Sequence, residues 1–460
     1  MPRPLKILRK ICWSNEPPAV DNCWHVVLIT FLTAFISSAM FRTAGYLYIA
    51  FMEEYGVDRE TAAWPHSIAS AVGGIVGLIV APLKPRLSIT HIMALASALL
   101  WIGIIASGFA TNIATLSVTL GVVHGIGSGT IYLLLQVFTM MYFDKYRGTA
   151  LGIMSMGSAL SGTVFSKLLE YLTGAYSLQY SLILLGALSM NISPLTHLLK
   201  VPLWYTRPKK KTKRTSKQTI STVYVTENSA ENKSSSTESV ERKHTNECIR
   251  DLKFLAFRPM FYLMLVSSAV TIFADYIFLS TYMDFAVDKG TSVSNAVWLT
   301  TCISVADMIG RICLPVIADR RYVRRSTLVV VNKFLMGIDM ILAPQVTSYW
   351  MIAVLCSLIT AHIGCGFILH DVLVAEYLGL ERLSVVQGTI GLVKTPLVLG
   401  IPALIGLFRD EAGSYDNMYR LLGGLLIFIC VFWVPVVWNE AKNQRQHKSP
   451  QNNGSLTTES

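Results

Sequence analysis

The sequence predicts an all-α membrane protein whose twelve transmembrane helices form two six-helix halves. Three observations carry this reading. Hydrophobic residues make up 52% and charged residues 15% of 460 positions, more apolar surface than a soluble core hides. That surface is laid out in runs of about twenty residues, the length a helix needs to cross a hydrocarbon layer about 30 Å thick. One long polar, basic stretch interrupts the runs near mid-chain.

In the first half, helices are expected over 24–50, 63–83, 89–109, 113–141, 148–170 and 176–199. In the second, they are expected over 255–283, 294–318, 326–343, 349–377, 384–408 and 418–438. Runs such as Leu28–Ala39 and Leu421–Val437 are apolar on every face, whereas a membrane barrel alternates over segments of about ten residues. A helix also satisfies its own backbone in lipid. The organisation that follows is a tail (1–22), a first half (23–199), a linker (200–253), a second half (254–438) and a second tail (439–460).

The linker opens on a basic run, Arg207 to Arg214, and continues in Ser, Thr, Asn, Lys and Glu, too polar to build a core and so expected to be disordered. Beside the sixth helix, the basic run reads as a stop-transfer signal and a contact for lipid headgroups, with no nucleic acid as partner. The first twenty residues scatter bases and prolines without an apolar core or cleavage site, so the first helix is expected to serve as the insertion signal.

Orientation follows from the bases. They gather at Arg3, Lys6, Arg9 and Lys10, at Lys84 and Arg86, at Lys145 and Arg147, in the linker, at Arg320, Arg321, Arg324 and Arg325, and at Lys442, Arg445 and Lys448. The intervening loops offer little beyond Arg59, Lys289 and Arg409. Both termini and the linker are therefore expected in the cytoplasm, and much of the net charge of +11 is topology. The triplets beginning at Asn232 and Asn453 then face the cytosol, that at Asn191 lies in a helix, and none should carry a glycan. Eight cysteines lack CxxC or His–Cys metal spacing and read as free thiols.

Two six-helix halves joined by a long cytoplasmic linker is the layout of the major facilitator fold, which holds its substrate at mid-membrane between the halves. A more specific likeness lies in Tyr142-Phe143-Asp144-Lys145-Tyr146-Arg147-Gly148-Thr149-Ala150-Leu151-Gly152, continuing to Gly157-Ser158. It resembles the segment between helices 4 and 5 of the monocarboxylate transporter family. Asp21 and Trp24 resemble the family's approach to helix 1, Phe278-Leu279-Ser280-Thr281-Tyr282 its helix 7 ending, and Asp307-x-x-x-Arg311 its helix 8 motif. Leu378 to Leu383, Gly388, Gly391 and Asp410-x-x-Gly-Ser-Tyr415 resemble its C-terminal half. The likeness runs from about residue 21 to 438. The loop Pro82–Arg86 lacks the superfamily's Gly and Asp, and Leu151 stands where many relatives carry Asn; both departures point to a divergent member.

The resemblance implies a plasma-membrane carrier of a small organic acid, a proton-coupled symporter or a facilitative uniporter, working by alternating access; the alternatives are an amino-acid, creatine or aromatic-solute facilitator of the same fold and a non-transporting receptor or interaction protein. It adds a single-span immunoglobulin-type ancillary glycoprotein as a partner to test. Neither HExxH, GxSxG nor Walker spacing occurs, so no enzyme activity, cofactor or metal is expected.

A charge at mid-bilayer costs about 2.5–3.5 kcal/mol even on permissive scales, so each one inside a helix needs a reason. Arg42 lies inside helix 1, where the resemblance implies a substrate-engaging cation, and its planar fork suits a carboxylate. Asp307 and Arg311 are four apart, on one helix face and in the favourable order. They are expected to pair when the site is empty, with Asp307 as the proton-coupling group and Arg311 as a second anion contact. Asp275 and Asp371 are further acids at cavity depth, and with Arg42 and Arg311 they admit a zwitterion as the alternative substrate. Lys333, Asp339, Glu376 and Lys394 read as interfacial or structural. Arg147, Arg320 and Arg321 are expected either to meet helix ends and lock one conformation or to contact lipid headgroups. Glycines spaced four apart at 73/77, 121/125/129 and 148/152 read as faces where helices approach closely.

Overall fold

The computed structural model describes residues 20–57, 59–84, 86–202, 250, 253–320, 322–411 and 413–448. The first tail up to residue 19, most of the linker and Arg321 lie outside the described residues. Helix occupies each of the twelve expected windows. Nine helices among the described residues are long and apolar enough to cross a membrane on length and composition alone. The difference in count has simple origins: Tyr349–Leu399 runs as one 51-residue stretch, the first segment is broken, and the fifth is rich in Gly, Ser and Thr.

The first segment comprises α1 (Trp24–Ser37), α2 (Ala39–Arg42) and α3 (Ala44–Tyr55). Its interruptions fall at Ser38 and Thr43, where the backbone leaves the helical region or sits at its edge. Hydroxyls bonded back to the preceding turn bend helices, and here Thr43 Oγ1 donates to the Ala39 oxygen at 2.9 Å. Arg42 is thereby placed at a break in an otherwise apolar run.

The rest of the first half is α4 (Arg59–Leu83), α5 (Ile89–Ser107), α6 (Ile113–Leu116) leading through a π-helical stretch, Ser117–Val123, into α7 (His124–Tyr142), then α8 (Arg147–Ala175), α9 (Leu178–Ser189) and α10 (Ile192–Leu198). The second half is α11 (Pro259–Asp288), α12 (Val293–Asp319), α13 (Arg325–Leu342), α14 (Tyr349–Val374), α15 (Leu383–Leu399), α16 (Ile401–Gly406) and α17 (Asp416–Lys448). The last helix runs ten residues past its expected end at 438, into the stretch read as a tail. Glu440 holds that extension in place: it accepts from Ser326 Oγ at 2.6 Å and from the Tyr377 hydroxyl.

Two pairs of helices bring the halves together. α4 packs along α15, and α8 packs along α12. Glycine makes both approaches possible: Gly391 leaves no room for a Cβ against the Gly74 backbone, and Gly152 leaves none against the Arg311 oxygen. Within the first half, a Cβ on Gly129 would stand 2.6 Å from the Gly73 Cα, so the glycine spacings mark contact faces.

The segments at 21–24 and 142–147, separate in sequence, touch. The Asp21 carboxylate accepts from the backbone N–H groups of Asp144, Lys145 and Tyr146 at 2.9, 3.1 and 3.3 Å. Trp24 packs against Phe143 with ring centroids 5.0 Å apart and planes tilted by 56°. Asp21 thus ties the approach to α1 to the turn that starts α8.

Candidate functional site

A cavity of about 240 Å³ lies between the halves, lined by Ser37, Ser38, Arg42, Ser70, Tyr132 and Ser158 from the first and by Tyr276, Arg311, Phe367 and Lys394 from the second. Its polar groups are supplied by helix breaks and glycine-rich faces, which let side chains of eight helical segments converge on one space.

Arg311 holds Asp307 through two hydrogen bonds, Nε to Oδ1 at 2.9 Å and a terminal nitrogen to Oδ2 at 3.0 Å. Both residues are buried, a setting in which a bidentate charged pair with satisfied donors is far steadier than either charge alone. Arg42 approaches the same carboxylate from the opposite half, 3.8 Å from Oδ2, and its Nε donates to Ser158 Oγ at 3.4 Å. The Arg42 side chain is 27% exposed against 5% for Arg311, so the more accessible cation is the one more loosely held. The pair expected from the i, i+4 spacing is therefore present, and Arg42 completes a triad that spans the halves.

The other acids stand elsewhere. Asp275 is buried and does not line this cavity; one of its oxygens lacks a hydrogen-bond partner among the described residues. One turn earlier on α11, Thr271 accepts from Lys333, placing that base in the packing of the second half. Asp371 lines an adjoining space of about 180 Å³ and is capped at both oxygens, by Gln136 Nε2 at 2.6 Å and Gln387 Nε2 at 2.5 Å. Gln136 belongs to the first half, so this carboxylate ties the halves together, with one amide donor on each oxygen. Lys394, read from sequence as interfacial or structural, lines the central cavity and the adjoining one.

The halves also meet at the end that carries the basic loops. Asp319, 1% exposed, accepts from the backbone of Gly148 at 3.2 Å, from the backbone of Thr149 at 2.6 Å and from Thr149 Oγ1 at 2.8 Å. A carboxylate at the first turn of α8 satisfies free N–H groups and meets the positive end of the helix dipole. Arg325 holds the same carboxylate at 3.0 Å and Glu376 at 3.3 Å. Lys84 Nζ donates to Ser384 Oγ at 2.5 Å, beside the crossing of α4 and α15. This end is sealed.

Two of the arginines expected to gate, Arg147 and Arg320, are not among the partners of Asp319. Arg147 turns back on its own loop, to the Phe143 oxygen at 2.9 Å and Asp144 at 3.2 Å; Arg320 is exposed, and Arg321 lies outside the described residues. Sequence reading followed the conspicuous basic run and passed over the acid beside it. The available signal was Asp319 itself, a carboxylate ending a long apolar helix.

A cavity between two helical halves, sealed at one end and lined by charges at mid-helix, defines a transporter. The chain belongs to the Major Facilitator Superfamily, whose family model matches residues 30–401. Among curated proteins it is similar to monocarboxylate transporter 9 of Gallus gallus, 24% identical over 95% of this chain and 97% of that protein. It is likewise similar to monocarboxylate transporter 12 of Homo sapiens, 24% identical over 91% of this chain and 81% of that protein. Among solved structures it resembles the superfamily transporter FucP in its outward conformation, with a TM-score of 0.64 and 13% identity, covering 88% of this chain and 98% of that one. The proton:xylose symporter XylE has a TM-score of 0.64 at 12% identity, covering 89% and 94%. The protein is thus a multi-pass membrane transporter, not an enzyme.

Proposed function

We infer that this transporter carries a small organic anion, with a proton as co-substrate, by alternating access between the halves. The observation that supports this most is the Arg42–Asp307–Arg311 triad, two guanidinium groups converging on one carboxylate at the cavity wall. A substrate carboxylate entering the cavity competes with Asp307 for Arg42 and Arg311. With its cationic partners drawn to the substrate, the Asp307 carboxylate takes up the co-substrate proton, so anion and proton bind together. Because Arg42 contacts Asp307 across the halves, exchanging that contact for a substrate contact changes what holds the halves in register.

The charge of the site favours an anion over a zwitterion, since Asp371 is capped by two amides and Asp275 lies outside the cavity. The basic loops assign the sealed end to the cytoplasm, which makes the conformation described here one closed to the cell interior. Plasma-membrane residence, cytoplasmic termini and an immunoglobulin-type ancillary glycoprotein belong to the same reading. The test is uptake into cells or proteoliposomes across a panel of monocarboxylates, amino acids and creatine at two external pH values. Uptake of carboxylates that rises at the lower pH supports the reading; uptake confined to cationic or neutral solutes sinks it.

A further inference from the structure

Lys394 is the one charged side chain of the central cavity that the triad does not involve. It projects from α15 beside the Gly74–Gly391 crossing, and a Cβ on Gly74 would stand 3.0 Å from its Cε. It lines three neighbouring spaces: the central cavity, the space beside Gln387 and Asp371, and a narrow one between Ser70, Tyr276 and Val398. Arg42 and Arg311 line only the first of these. The acid that lines the second space with it, Asp371, accepts from Gln136 and Gln387. Among the described residues Lys394 has neither hydrogen bond nor ion pair.

An ammonium inside a membrane protein without a counter-charge is costly, and such groups mark substrate paths. Three cations, Arg42, Arg311 and Lys394, line this cavity among the described residues, and the carboxylate of Asp307 pairs with the two arginines only. A monocarboxylate engaging Arg42 and Arg311 leaves Lys394 unmatched. We propose that Lys394 is a second anion subsite and that the cavity selects small organic anions with two acidic ends, dicarboxylates of about four carbons. One carboxylate sits at the paired arginines and the other at Lys394. The three cations also draw dianions more strongly than monoanions. This assignment rests on the reading of the triad as the first carboxylate site.

The probes are succinate and butyrate, which share a four-carbon chain and differ in the second carboxylate. They are compared in proteoliposomes at about pH 7.4, where both ends of succinate are ionised. The wild type should prefer succinate. Lys394→Gln should lower the ratio of succinate to butyrate affinity about tenfold, and Lys394→Arg should restore it. A wild type that prefers butyrate, or a ratio unchanged by Lys394→Gln in protein that reconstitutes normally, overturns the dianion assignment and leaves the triad reading intact. Uptake of neither probe overturns the dianion assignment, and the wider solute panel then decides the triad reading. If Lys394→Gln fails to reconstitute, Lys394→Met and direct binding of succinate to wild-type protein, competed by butyrate, give the same ratio.

Discussion

Gly364 lies so close to Asp307 that a methyl group added at position 364 would stand 2.6 Å from both the backbone oxygen and Oδ1 of Asp307. It would also stand 3.1 Å from the Arg311 Cγ. On the opposite side, Gly152 of α8 presses on the Arg311 oxygen. The charged pair is therefore gripped between two glycines, one from each half, and its geometry depends on the absence of two side chains. Gly364→Ala should misplace the pair without removing a charge. Overpacking of this kind costs about 1–3 kcal/mol, and uptake per transporter at the surface should fall about tenfold. Surface biotinylation beside an uptake assay separates this from poor delivery; normal uptake in Gly364→Ala would show that the pair has slack.

Replacing Asp307 by Asn keeps an acceptor for Arg311 and removes the titratable group. If the carboxylate couples proton to anion, the rise in uptake between about pH 7.5 and pH 6 should collapse to a ratio near one, while exchange of labelled for unlabelled substrate persists. The measurement is initial uptake and counterflow at both pH values, and an undiminished pH dependence would remove Asp307 from the coupling step.

Much of this arrangement was legible in the sequence because the bilayer imposes harsh rules. An apolar run of twenty residues has few alternatives to a spanning helix, and a charge within one announces itself, so the helices, the Asp307–Arg311 pair and the presence of Arg42 within a helix were readable without coordinates, whereas the contact of Arg42 with Asp307 was not. What was not readable depends on how helices cross. Lys394 sits late in its helix and looks interfacial until the Gly74–Gly391 approach carries it to the cavity. Asp371 looks like a free acid until Gln136 arrives from the other half. The breaks at Ser38 and Thr43 are invisible to hydropathy, because the residues around them are as apolar as a continuous helix requires.

Arg42 is held by one long contact to Asp307 and one weak hydrogen bond to Ser158, so it is the member of the triad most available to substrate. Arg42→Ala should raise the apparent Km at least about tenfold, the weight of a charge-assisted hydrogen bond. Arg42→Lys should recover part of it, since a point charge replaces the fork. Concentration-dependent uptake in protein of normal surface abundance decides this; an unchanged Km in Arg42→Ala rules out substrate contact.

The seal at the basic-loop end rests on Asp319, which takes donors from α8 and from Arg325 at once. Asp319→Asn turns an amide nitrogen toward N–H groups that need an acceptor and removes the charge. Bonds to charged groups contribute about 1.5–3 kcal/mol, enough to shift an equilibrium between sealed and open forms about tenfold or more. A cysteine introduced at Ser384, 1% exposed in the sealed form, should react faster with a charged maleimide in the Asp319→Asn background than in its parent. Equal rates in both backgrounds would mean that the Asp319 cluster does not latch the halves. Arg147→Ala, by contrast, should change the rate little, because Arg147 bonds within its own loop.

The extension of α17 past residue 438 makes a final prediction about stability. Glu440 accepts from Ser326 at the start of α13 and from Tyr377 in the π-helical turn that follows α14, so a single carboxylate joins three helical segments at one end of the second half. Deleting residues 439–460 would leave both hydroxyls without that partner and would remove the last turns of the helix. Each lost hydrogen bond to a charged acceptor costs about 1.5–3 kcal/mol when its donor stays partly buried. The truncated protein should therefore unfold several degrees lower in detergent, and Glu440→Ala should reproduce most of that loss. Deleting only residues 449–460, which leaves Glu440 and the described helix in place, is the control. Fluorescence-detected size-exclusion melting of the three variants separates these outcomes, and equal melting in all of them would show that the α17 extension carries no stabilising contact.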